Sequence, residues 1–539
     1  MKQGNRVVRT VALLMILCLG ATGLYGCTVA SAEEEGTVYE YKNVKTAGVA
    51  YDGSADVSAL LKELDGQVKI GEALYFPAGT YLISSDLEIN APIVLAANAK
   101  LKVEAGAHAV FNGPVEAGQY QVFTGDGTVR LNSEQSWGYP KWFGVVATGR
   151  GAEDKAFQKA VDSCRMLRLP NRTYQLTGIV FSRPITIEGI GSSRVTIQAE
   201  AGTQNLFTFR SSDVKLQGLC IKMAKAGKDA HCFYFDTDTV SMENISLKQV
   251  YVDDGYVSFT DAGSGKHTVS KVNLTAVDFR SARDTCVIIR DFASDVVFTE
   301  VVNTRRENKS AGVYCNMPGF IIENVVGFLG EHMDTNGEAN AVGAGSYEND
   351  PEWPSRNLEG HGIVFRNCKN VKIIRTLMEY VGASGFIFEN CSKLTLENCE
   401  AYTVHRDGFR FVNCSDSNFY VTKAWGNCNN NVDGSNIVLI GCSDMNFYSV
   451  QTGNAKAGAN SVYVKDCKNI LMDTLMMDGT PAADVGFVDA GGNENVLINN
   501  LSCVSMNRSY TLTGKGVKLR NVFLPDGTYI AETTEAGTR

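Results

Sequence analysis

Hydrophobic and polar positions recur together in the C-terminal half of the chain. The phrase Gly-apolar-x-Phe-x-Asn-Cys occupies Gly362–Cys368, Gly385–Cys391 and Gly408–Cys414. A second apolar run follows each phrase after a few polar residues, and looser copies extend from Phe207 to Leu497. Short apolar runs that are separated by turns, with no helical periodicity between them, predict β-strands.

The spacing of these runs predicts the architecture. A repeat of roughly 25 residues that contains only short strands is typical of a solenoid in which each repeat forms one coil. We therefore predict an all-β fold, a parallel β-helix, in which equivalent residues of successive coils lie about 4.8 Å apart in columns. A β-sandwich has strands of similar length but does not account for the shared register of Asn and Cys.

The cysteines support this alignment. The chain has 15 of them, and five stand at the same place in successive repeats: Cys368, Cys391, Cys414, Cys442 and Cys467. This recurrence predicts a ladder of half-buried thiols rather than a set of disulfides. The sequence has no CxxC pair, so we expect no zinc site among them.

Two segments show the periodicity of amphipathic helices instead. Their apolar faces are Val57, Leu60, Leu61 and Leu64, and Phe157, Ala160, Val161 and Cys164. Asp56 and Asp154 are the predicted N-caps. Similar strand and turn segments follow both helices, so the unit is duplicated. A short helix of this kind would cover the open end of a solenoid.

The duplicated unit resembles a known family. Gly48–Tyr81, and Tyr139–Tyr174 as a second copy, are similar to the opening of the pectate-lyase superfamily, in the group of rhamnogalacturonases, epimerases and phage tailspikes. The second copy departs from the family pattern, with Gly149-Arg150-Gly151 in place of the usual Gly-Asp-Gly. The resemblance implies a right-handed, single-stranded parallel β-helix with short N-terminal capping helices that handles carbohydrate.

We predict four regions on this basis. An export signal covers residues 1–32, an N-terminal capping segment 33–140, the β-helix 141–530 and a C-terminal tail 531–539. In the signal, basic residues precede the apolar run Val11–Leu24, which is too short to span a bilayer. Leu24–Cys27 resembles a bacterial lipobox, which implies lipidation of Cys27 and anchoring to the membrane. Cleavage after Ala32 is the alternative, and either route places the protein in the cell envelope or outside the cell.

Charge and composition exclude one class of partner. Lys and Arg number 50 against 59 Asp and Glu, a net charge of −9 at pH 7. An acidic chain without a basic tract is not expected to bind nucleic acid. Hydrophobic residues make up 44% and charged residues 20%, as in ordinary folded proteins.

Ionisable residues line the edge that precedes the first strand of each coil. Alignment of the repeats places one column at Asp254, Thr285, Ala311, His361, Ser384 and Asp407. His361 and Asp407 would lie two coils apart, about 10 Å, and flank a sugar unit. Tyr402, His405, Arg406 and Asp407 share one turn and predict a base, an acid and a carboxylate-binding group. Ordinary turn chemistry at Asp-Gly and His-Gly is the structural alternative.

A basic strip and an insertion supply predicted binding residues. Arg280 and Arg283 align one coil below Arg306 and Lys309. Such stacked like charges favour an anionic ligand, unless acidic side chains such as Asp278 or Asp284 lie between them. Ile321 and Val371 are 50 residues apart, about two coils, which predicts an insertion from Leu329 to Gly360. The predicted substrate-binding residues are Arg280, Arg283, Arg306, Lys309, Trp353, Asp254 and Asp284.

Two reaction classes fit these residues. A glycoside hydrolase needs two carboxylates beside the bond. The polygalacturonases of the superfamily keep their motifs in successive coils, whereas Asp253-Asp254 and Gly360-His361-Gly362 are more than a hundred residues apart here. A lyase or epimerase removes the proton beside a uronate carboxylate, and Tyr402, His405 and Arg406 suit that reaction better.

The predicted function is therefore to cleave or modify a uronate-containing polysaccharide, by a lyase, epimerase or hydrolase mechanism. A cell-surface module that binds glycan without catalysis is the alternative. Calcium is left open as a cofactor, although no acidic cluster has the spacing of a calcium loop, and no other cofactor or metal is expected. An oligomeric state is also left open.

Overall fold

The computed structural model describes residues 39–149, 151–190, 195–227, 229–282, 284–305, 318–337, 360–379, 381–404, 406–427, 434–453, 459–479 and 485–539. Most of these residues lie in parallel β-strands that wind along one axis. The protein is a right-handed parallel β-helix with short N-terminal helices, so the predicted fold is confirmed.

The N-terminal part is itself a short β-helix with three faces. The chain visits three small parallel sheets in turn, and each circuit takes about 20 residues. The first sheet contains Glu40–Asn43, Glu72–Phe76, Ile93–Leu95 and Val115–Ala117; the second Asp52–Asp56, Gly79–Ile83, Ala99–Val103 and Phe123–Thr124; the third Leu87–Ile89, His108–Phe111 and Thr128–Leu131.

Two long sheets form the rest of the solenoid. The 18-stranded sheet contains Met166–Pro170, Thr173–Leu176, Ile185–Ile190, Val195–Ala199, Val214–Lys222, Met242–Asp253, Val269–Ala282, Phe292–Arg305, Val326–Gly337, Lys369–Ile374, Leu377–Glu379, Ser392–Tyr402, Ser415–Trp425, Ser443–Gly453, Lys468–Asp478, Glu494–Val504, Val517–Phe523 and Tyr529–Thr533. The 14-stranded sheet contains Ile179–Phe181, Asn205–Phe209, His231–Phe235, Val257–Asp261, Val287–Ile289, Phe320–Glu323, Ile363–Arg366, Phe386–Glu389, Phe409–Val412, Ser435–Ile440, Asn460–Lys465, Val485–Asp489, Tyr510–Leu512 and Gly537–Thr538.

A left-handed residue bends each long strand of the 18-stranded sheet. In Ser392–Tyr402 the buried side chains are Leu394 and Leu396 before the bend and Cys399 and Ala401 after it. Asn398 lies between them with φ 53° and shifts the alternation by one residue. Asn tolerates this conformation better than most residues. The bend gives each long strand two outward faces, so a coil has three sides.

Aromatic stacks and the cysteine ladder fill the interior. The rings of Phe365, Phe388 and Phe411 are nearly parallel at centroid distances of 5.3 and 5.2 Å. The five repeat cysteines have reduced thiols and are buried, with exposed fractions of 1%. The amide of Cys368 donates to the Sγ of Cys391 at 3.4 Å. The predicted ladder is confirmed, but its thiols are buried rather than half-buried.

The two predicted helices are present, with different caps. They span Ser58–Asp65 and Asp154–Ser163. Val57 and Glu153 are the N-cap residues, so the prediction of Asp56 and Asp154 was one residue off at each. Asp56 instead accepts the amide of Ser58 at 3.1 Å, and Asp154, the first helical residue, accepts the amide of Thr177 at 2.7 Å. The carboxylates therefore tie each helix end to neighbouring segments.

The predicted insertion begins later than the sequence suggested. Leu329 belongs to the strand Val326–Gly337, which pairs with the strands on both sides of it. Residues 338–359, including Trp353, lie outside the described residues. At the other end, Tyr529–Thr533 and Gly537–Thr538 pair antiparallel with the last coil, so part of the predicted tail belongs to the two sheets.

Candidate functional site

The register of the 14-stranded sheet tests the predicted column. Ile363, Phe386 and Phe409 pair in succession, so His361, Ser384 and Asp407 are equivalent residues of three successive coils. The predicted two-coil separation of His361 and Asp407 is confirmed. The prediction that Asp254 belongs to this column was wrong. Val257 occupies that position, in register with His231 of the preceding coil. Ala311 lies outside the described residues, and the register from Phe320 to Ile363 places Pro318 there.

Asp407 is held by structural contacts. Its side chain is only 6% exposed. Oδ1 accepts the amide of Ser435 at 2.9 Å, and Oδ2 forms an ion pair with Arg410 Nη1 at 3.2 Å. Burial raises the pKa of this carboxyl group. Oδ1 thus holds the next coil and Oδ2 holds a side chain of its own coil, which favours a structural role for Asp407 over a catalytic one.

His361 and Arg406 lie at the same edge of the coil. His361 is half-buried, and its Nδ1 accepts the amide of Ser384 at 3.2 Å. This bond requires the proton of a neutral imidazole to be on Nε2. The amide of Arg406 donates to the carbonyl of Ala383 at 3.1 Å. His405 lies outside the described residues, so the predicted His405 role stays a prediction.

The basic strip is only partly described. Arg280 pairs in register with Asp253 and Thr304, so its predicted alignment with Arg306 was wrong. Arg280 Nε is 2.5 Å from Asp278 Oδ2, and the guanidinium lies 5.0 Å from the centre of the Tyr251 ring. The charge of Arg280 is therefore compensated within the protein. Arg283, Arg306 and Lys309 lie outside the described residues.

The remaining predicted aspartates lie at turns. Asp284 Oδ1 accepts the amide of its neighbour Thr285 at 2.6 Å, a local bond typical of turns. Asp254 follows the strand Met242–Asp253 and has φ 59°. Its amide donates to the carbonyl of Arg280 at 3.1 Å. Both hydrogen bonds are internal to the protein. The predicted substrate-binding roles of both residues stay predictions.

A cluster of carboxylates lies on the outward face of the long strands, beyond the bend. Asp334, Leu377 and Glu400 are equivalent residues of successive coils. Glu379 lies two residues after Leu377 and is therefore a diagonal neighbour of both carboxylates, at roughly 7–8 Å between backbones. All three acids are half-buried. Sequence analysis missed Glu379 and Glu400, and it placed Asp334 in the insertion.

Burial and neighbouring charges raise the pKa of two of these acids. Burial raises the pKa of Glu379, and the negative charges of Asp334 and Glu400 raise it further. Burial likewise raises the pKa of Asp334, whose carboxylate accepts the amide of Leu377 at 3.1 Å. In many active sites, a carboxyl group with a raised pKa acts as the acid while a neighbouring carboxylate acts as the base.

Two aromatic residues continue this face. Tyr402 is the last residue of its strand and is half-buried, in register between Glu379 and Trp425. Gly453 is the next residue in that column, and a Cβ there would lie 2.6 Å from the Trp425 ring. The glycine therefore leaves room for the indole. We call Asp334, Glu379, Glu400, Tyr402 and Trp425 the acidic face.

The alternation of the long strands was the signal for this face in the sequence. Glu400-Ala401-Tyr402 and Lys423-Ala424-Trp425 each flank a small buried residue with two outward side chains. The ionisable column predicted from sequence lies just before the first strand of each coil, whereas the acidic face lies at the end of the long strands. Only Tyr402 of the acidic face was identified as a candidate, and it was grouped with the turn that follows it.

Within the described ranges, no group of three or more His, Cys, Asp or Glu side chains has an arrangement that could hold a metal ion. The described helices also include none with the length and apolar character needed to cross a bilayer.

Comparison with known proteins gives the class of the fold. Residues 41–134, the short three-faced β-helix, match the family described as rhamnogalacturonase A/epimerase, pectate lyase-like. The chain is a right-handed β-helix whose N-terminal segment is similar to pectate-lyase-like proteins, as its sequence predicts. No curated protein matches it.

Several solved structures are similar in architecture. Tailspike protein 3 of bacteriophage CBA120 is 14% identical, with a TM-score of 0.46 over 72% of this chain and 61% of the tailspike. This chain therefore spans about three fifths of that tailspike. The A-module of the Azotobacter vinelandii mannuronan C-5 epimerase AlgE4 is 12% identical, with a TM-score of 0.35 over 89% and 99%. The gp42 tailspike of Acinetobacter phage vb_AbaP_AS12 is 10% identical, with a TM-score of 0.42 over 75% and 66%. At such identities, no activity transfers to this chain.

Proposed function

We propose that the protein hydrolyses a polysaccharide at the acidic face, with Glu379 as the general acid. The observation that carries the proposal is the raised pKa of Glu379 between two further carboxylates. A glycoside hydrolase needs a protonated carboxyl group to donate to the leaving oxygen and a second, ionised carboxylate on the other side of the bond. Glu400 has the second role in this proposal.

The spacing of the two groups agrees with hydrolysis. Glu379 and Glu400 lie on neighbouring strands and are offset by two residues. Diagonal neighbours in a sheet are roughly 7–8 Å apart. Glutamate side chains on backbones this far apart can place their carboxyl groups on either side of one glycosidic bond, as hydrolysis requires.

The aromatic residues support a carbohydrate ligand. Sugars present apolar C–H faces that pack on aromatic rings, while their hydroxyl groups need polar partners. Tyr402 and Trp425 provide such rings beside the carboxylates. The match of residues 41–134 to a family named for a rhamnogalacturonase also agrees with a glycan substrate.

The charge of the acidic face argues against a lyase at this position. A lyase needs a cationic group to neutralise the uronate carboxylate during proton removal. Here three carboxylates lie together, and the neighbouring cation Lys423 is in register with Glu400, so the face keeps a net negative charge. A uronate at Glu379 would be repelled, so we expect cleavage beside a neutral sugar in a polysaccharide that contains uronate elsewhere.

Turnover by purified protein tests the proposal. The protein is incubated with neutral and uronate-containing polysaccharides, and reducing ends and absorbance from unsaturated ends are both measured. We expect reducing ends without ultraviolet absorbance. Glu379→Gln should lower kcat at least about 100-fold, because general acid catalysis contributes this much.

Glu397→Gln is the matched control. Glu397 lies on the same strand as Glu400 but before the bend, and it forms an ion pair with Lys372 at 2.9 Å. Its replacement should leave kcat within about twofold. Absorbance from unsaturated ends would contradict the proposal and indicate a lyase instead. Binding without any new reducing ends would support a non-catalytic glycan module instead.

A further inference from the structure

A groove lies where the short N-terminal β-helix meets the long one. Its volume is about 470 Å³, within the range of small-molecule sites. Ile185 and Pro184 are part of its apolar lining. Four charged residues also line it: Glu134, Arg165, Asp213 and Lys215.

Both parts of the solenoid build this groove. Glu134 follows the last strand of the short β-helix, and Arg165 follows the helix Asp154–Ser163. Lys215 comes from the third coil of the 18-stranded sheet, in register with Thr186 of the second. The wall at Pro184 is fixed because Arg183 Nη1 donates to the carbonyl of Asp162 at 2.7 Å.

Of the four charged residues in the lining, two donate hydrogen bonds and two accept them. Arg165 and Lys215 only donate hydrogen bonds, whereas Glu134 and Asp213 accept them when ionised. Their charges sum to zero. Arg165 and Glu134 form an ion pair at 3.2 Å, but their side chains are 42% and 71% exposed, so water and ligand hydroxyls compete for both groups.

An aromatic ring lies near the groove. Trp137, three residues after Glu134, stacks on the guanidinium of Arg168 at 4.5 Å. Arg168 is the next outward residue after Met166, which lines the groove. The ion pair of Arg168 with Glu188 at 3.2 Å holds the guanidinium against the ring. The indole is therefore held in place beside the residues that line the groove.

We propose that this groove binds a short neutral oligosaccharide. The apolar lining suits the C–H face of a sugar, and paired donors and acceptors suit hydroxyl groups, which both donate and accept. A nucleic acid or a uronate would find no net positive charge here. The register places the groove five coils from the strands that carry Glu379, roughly 24 Å along the axis. The site is therefore independent of the proposed hydrolysis.

Calorimetric titration tests the proposal with defined probes. The probes are xylohexaose, cellohexaose and mannohexaose, with hexagalacturonate for comparison. All measurements use the Glu379→Gln background, so that turnover at the acidic face does not consume the probe. We expect at least one neutral hexasaccharide to bind. Thr186 is half-buried in the lining, so Thr186→Trp fills the groove and should weaken this binding at least tenfold.

A second variant and a control separate binding from folding. Glu134→Ala combined with Lys215→Ala removes two exposed groups and should also weaken binding at least tenfold. Lys468→Ala is the control, since Lys468 is exposed on the same sheet far from the groove and pairs with Glu494 at 3.1 Å. This control should bind the hexasaccharide with the same affinity as its Glu379→Gln parent. Unfolding midpoints of all variants should agree within about 2 °C.

Three results would overturn the proposal. They are the absence of binding by every neutral probe, binding of hexagalacturonate alone, and equal affinity in the parent and both groove variants. Loss of turnover in Glu379→Gln has no bearing on these results. A wrong catalytic assignment and a wrong groove assignment are therefore distinguishable.

Discussion

Glu379 shows how the chemistry of one residue depends on its neighbours across strands. Burial raises its pKa first, and the charges of Asp334 and Glu400 add to this. None of these three residues is adjacent in sequence to another. A carboxyl group of this kind keeps its proton at a higher pH than an exposed glutamate does, which is what a general acid requires.

This environment predicts a shift of the pH profile in Asp334→Asn. Removal of one negative charge lowers the pKa of Glu379, so the protonated form is lost at a lower pH. The alkaline limb of kcat/KM should therefore move to lower pH, as measured over pH 4 to 9. The amide oxygen of Asn can still accept the bond from Leu377. An alkaline limb that stays in place would remove Glu379 from the role of general acid.

Asp261 provides a second test at the scale of the residue. It is 4% exposed, and its Oδ1 has no hydrogen-bond partner among the described residues. Burial, with a further contribution from Asp291, raises its pKa to about 6. Because the folded pKa exceeds the unfolded value near 3.9, the stability contributed by this group is present at pH 4 and is lost as pH rises through 6.

Asp261→Asn should therefore stabilise the protein at neutral pH. We expect a gain of about 1–3 kcal/mol at pH 7 and little change at pH 4, measured as unfolding midpoints in denaturant. Asp238→Asn is the control, because Asp238 is exposed and pairs with Lys266 in solvent. Equal effects of Asp261→Asn at both pH values would contradict the assignment.

At the scale of the element, the corners of the coil depend on residues in the left-handed conformation. Asn367, Asn390 and Asn413 each have φ 53° and form one column. The side-chain amide of Asn390 donates to Asn367 at 3.3 Å, and that of Asn413 donates to Asn390 at 3.3 Å. Asn therefore serves both the backbone conformation and the ladder, which explains why the sequence repeats it.

Two substitutions at Asn390 separate these contributions. Asn390→Ala loses the ladder and strains the backbone, and it should lower the free energy of unfolding by about 1–2 kcal/mol. Asn390→Gly loses the ladder but tolerates the positive φ, so it should cost less. The measurement is the denaturant midpoint of each variant. If glycine costs as much as alanine, the side-chain bonds and not the backbone dominate at this corner.

At the scale of the whole molecule, stacking of coils makes a long surface with several faces out of distant segments. The same sheet carries the groove near Lys215 and the carboxylates near Glu379, five coils apart. Lys215 precedes the bend of its strand and Glu379 follows the bend, so the two sites lie on different faces. A polymer is the ligand that such extended faces suit best, since successive units can contact successive coils.

We propose that the molecule presents this surface outside the cytoplasm, anchored through Cys27. If the lipobox is used, the protein fractionates with membranes and its mature N-terminus is a lipidated Cys27. Cys27→Ser should then release the protein from the membrane fraction, with unchanged turnover. Mass spectrometry of the mature N-terminus distinguishes this from cleavage after Ala32. A soluble wild-type protein that begins at residue 33 would exclude the anchor.

Prediction from sequence succeeded where buried residues repeat and failed where outward residues matter. The Phe and Cys columns lie inside the coil, so each repeat must place them alike, and their alignment set the register of His361, Ser384 and Asp407. Asp254 and Arg280 were misaligned because coils between residues 250 and 320 differ in length, and a small error in counting changes the partner.

The sequence by itself determined the parallel β-helix, its cysteine ladder and its two helices, because packing between coils demands the same residue types at a regular interval. Only the tertiary structure decided which acids meet. Outward side chains away from the corners of the coil are free of that demand, and these acids leave no repeat in the sequence. The bend at Asn398 and its equivalents sets their direction, and the register of three coils brings Asp334, Glu379 and Glu400 to one face.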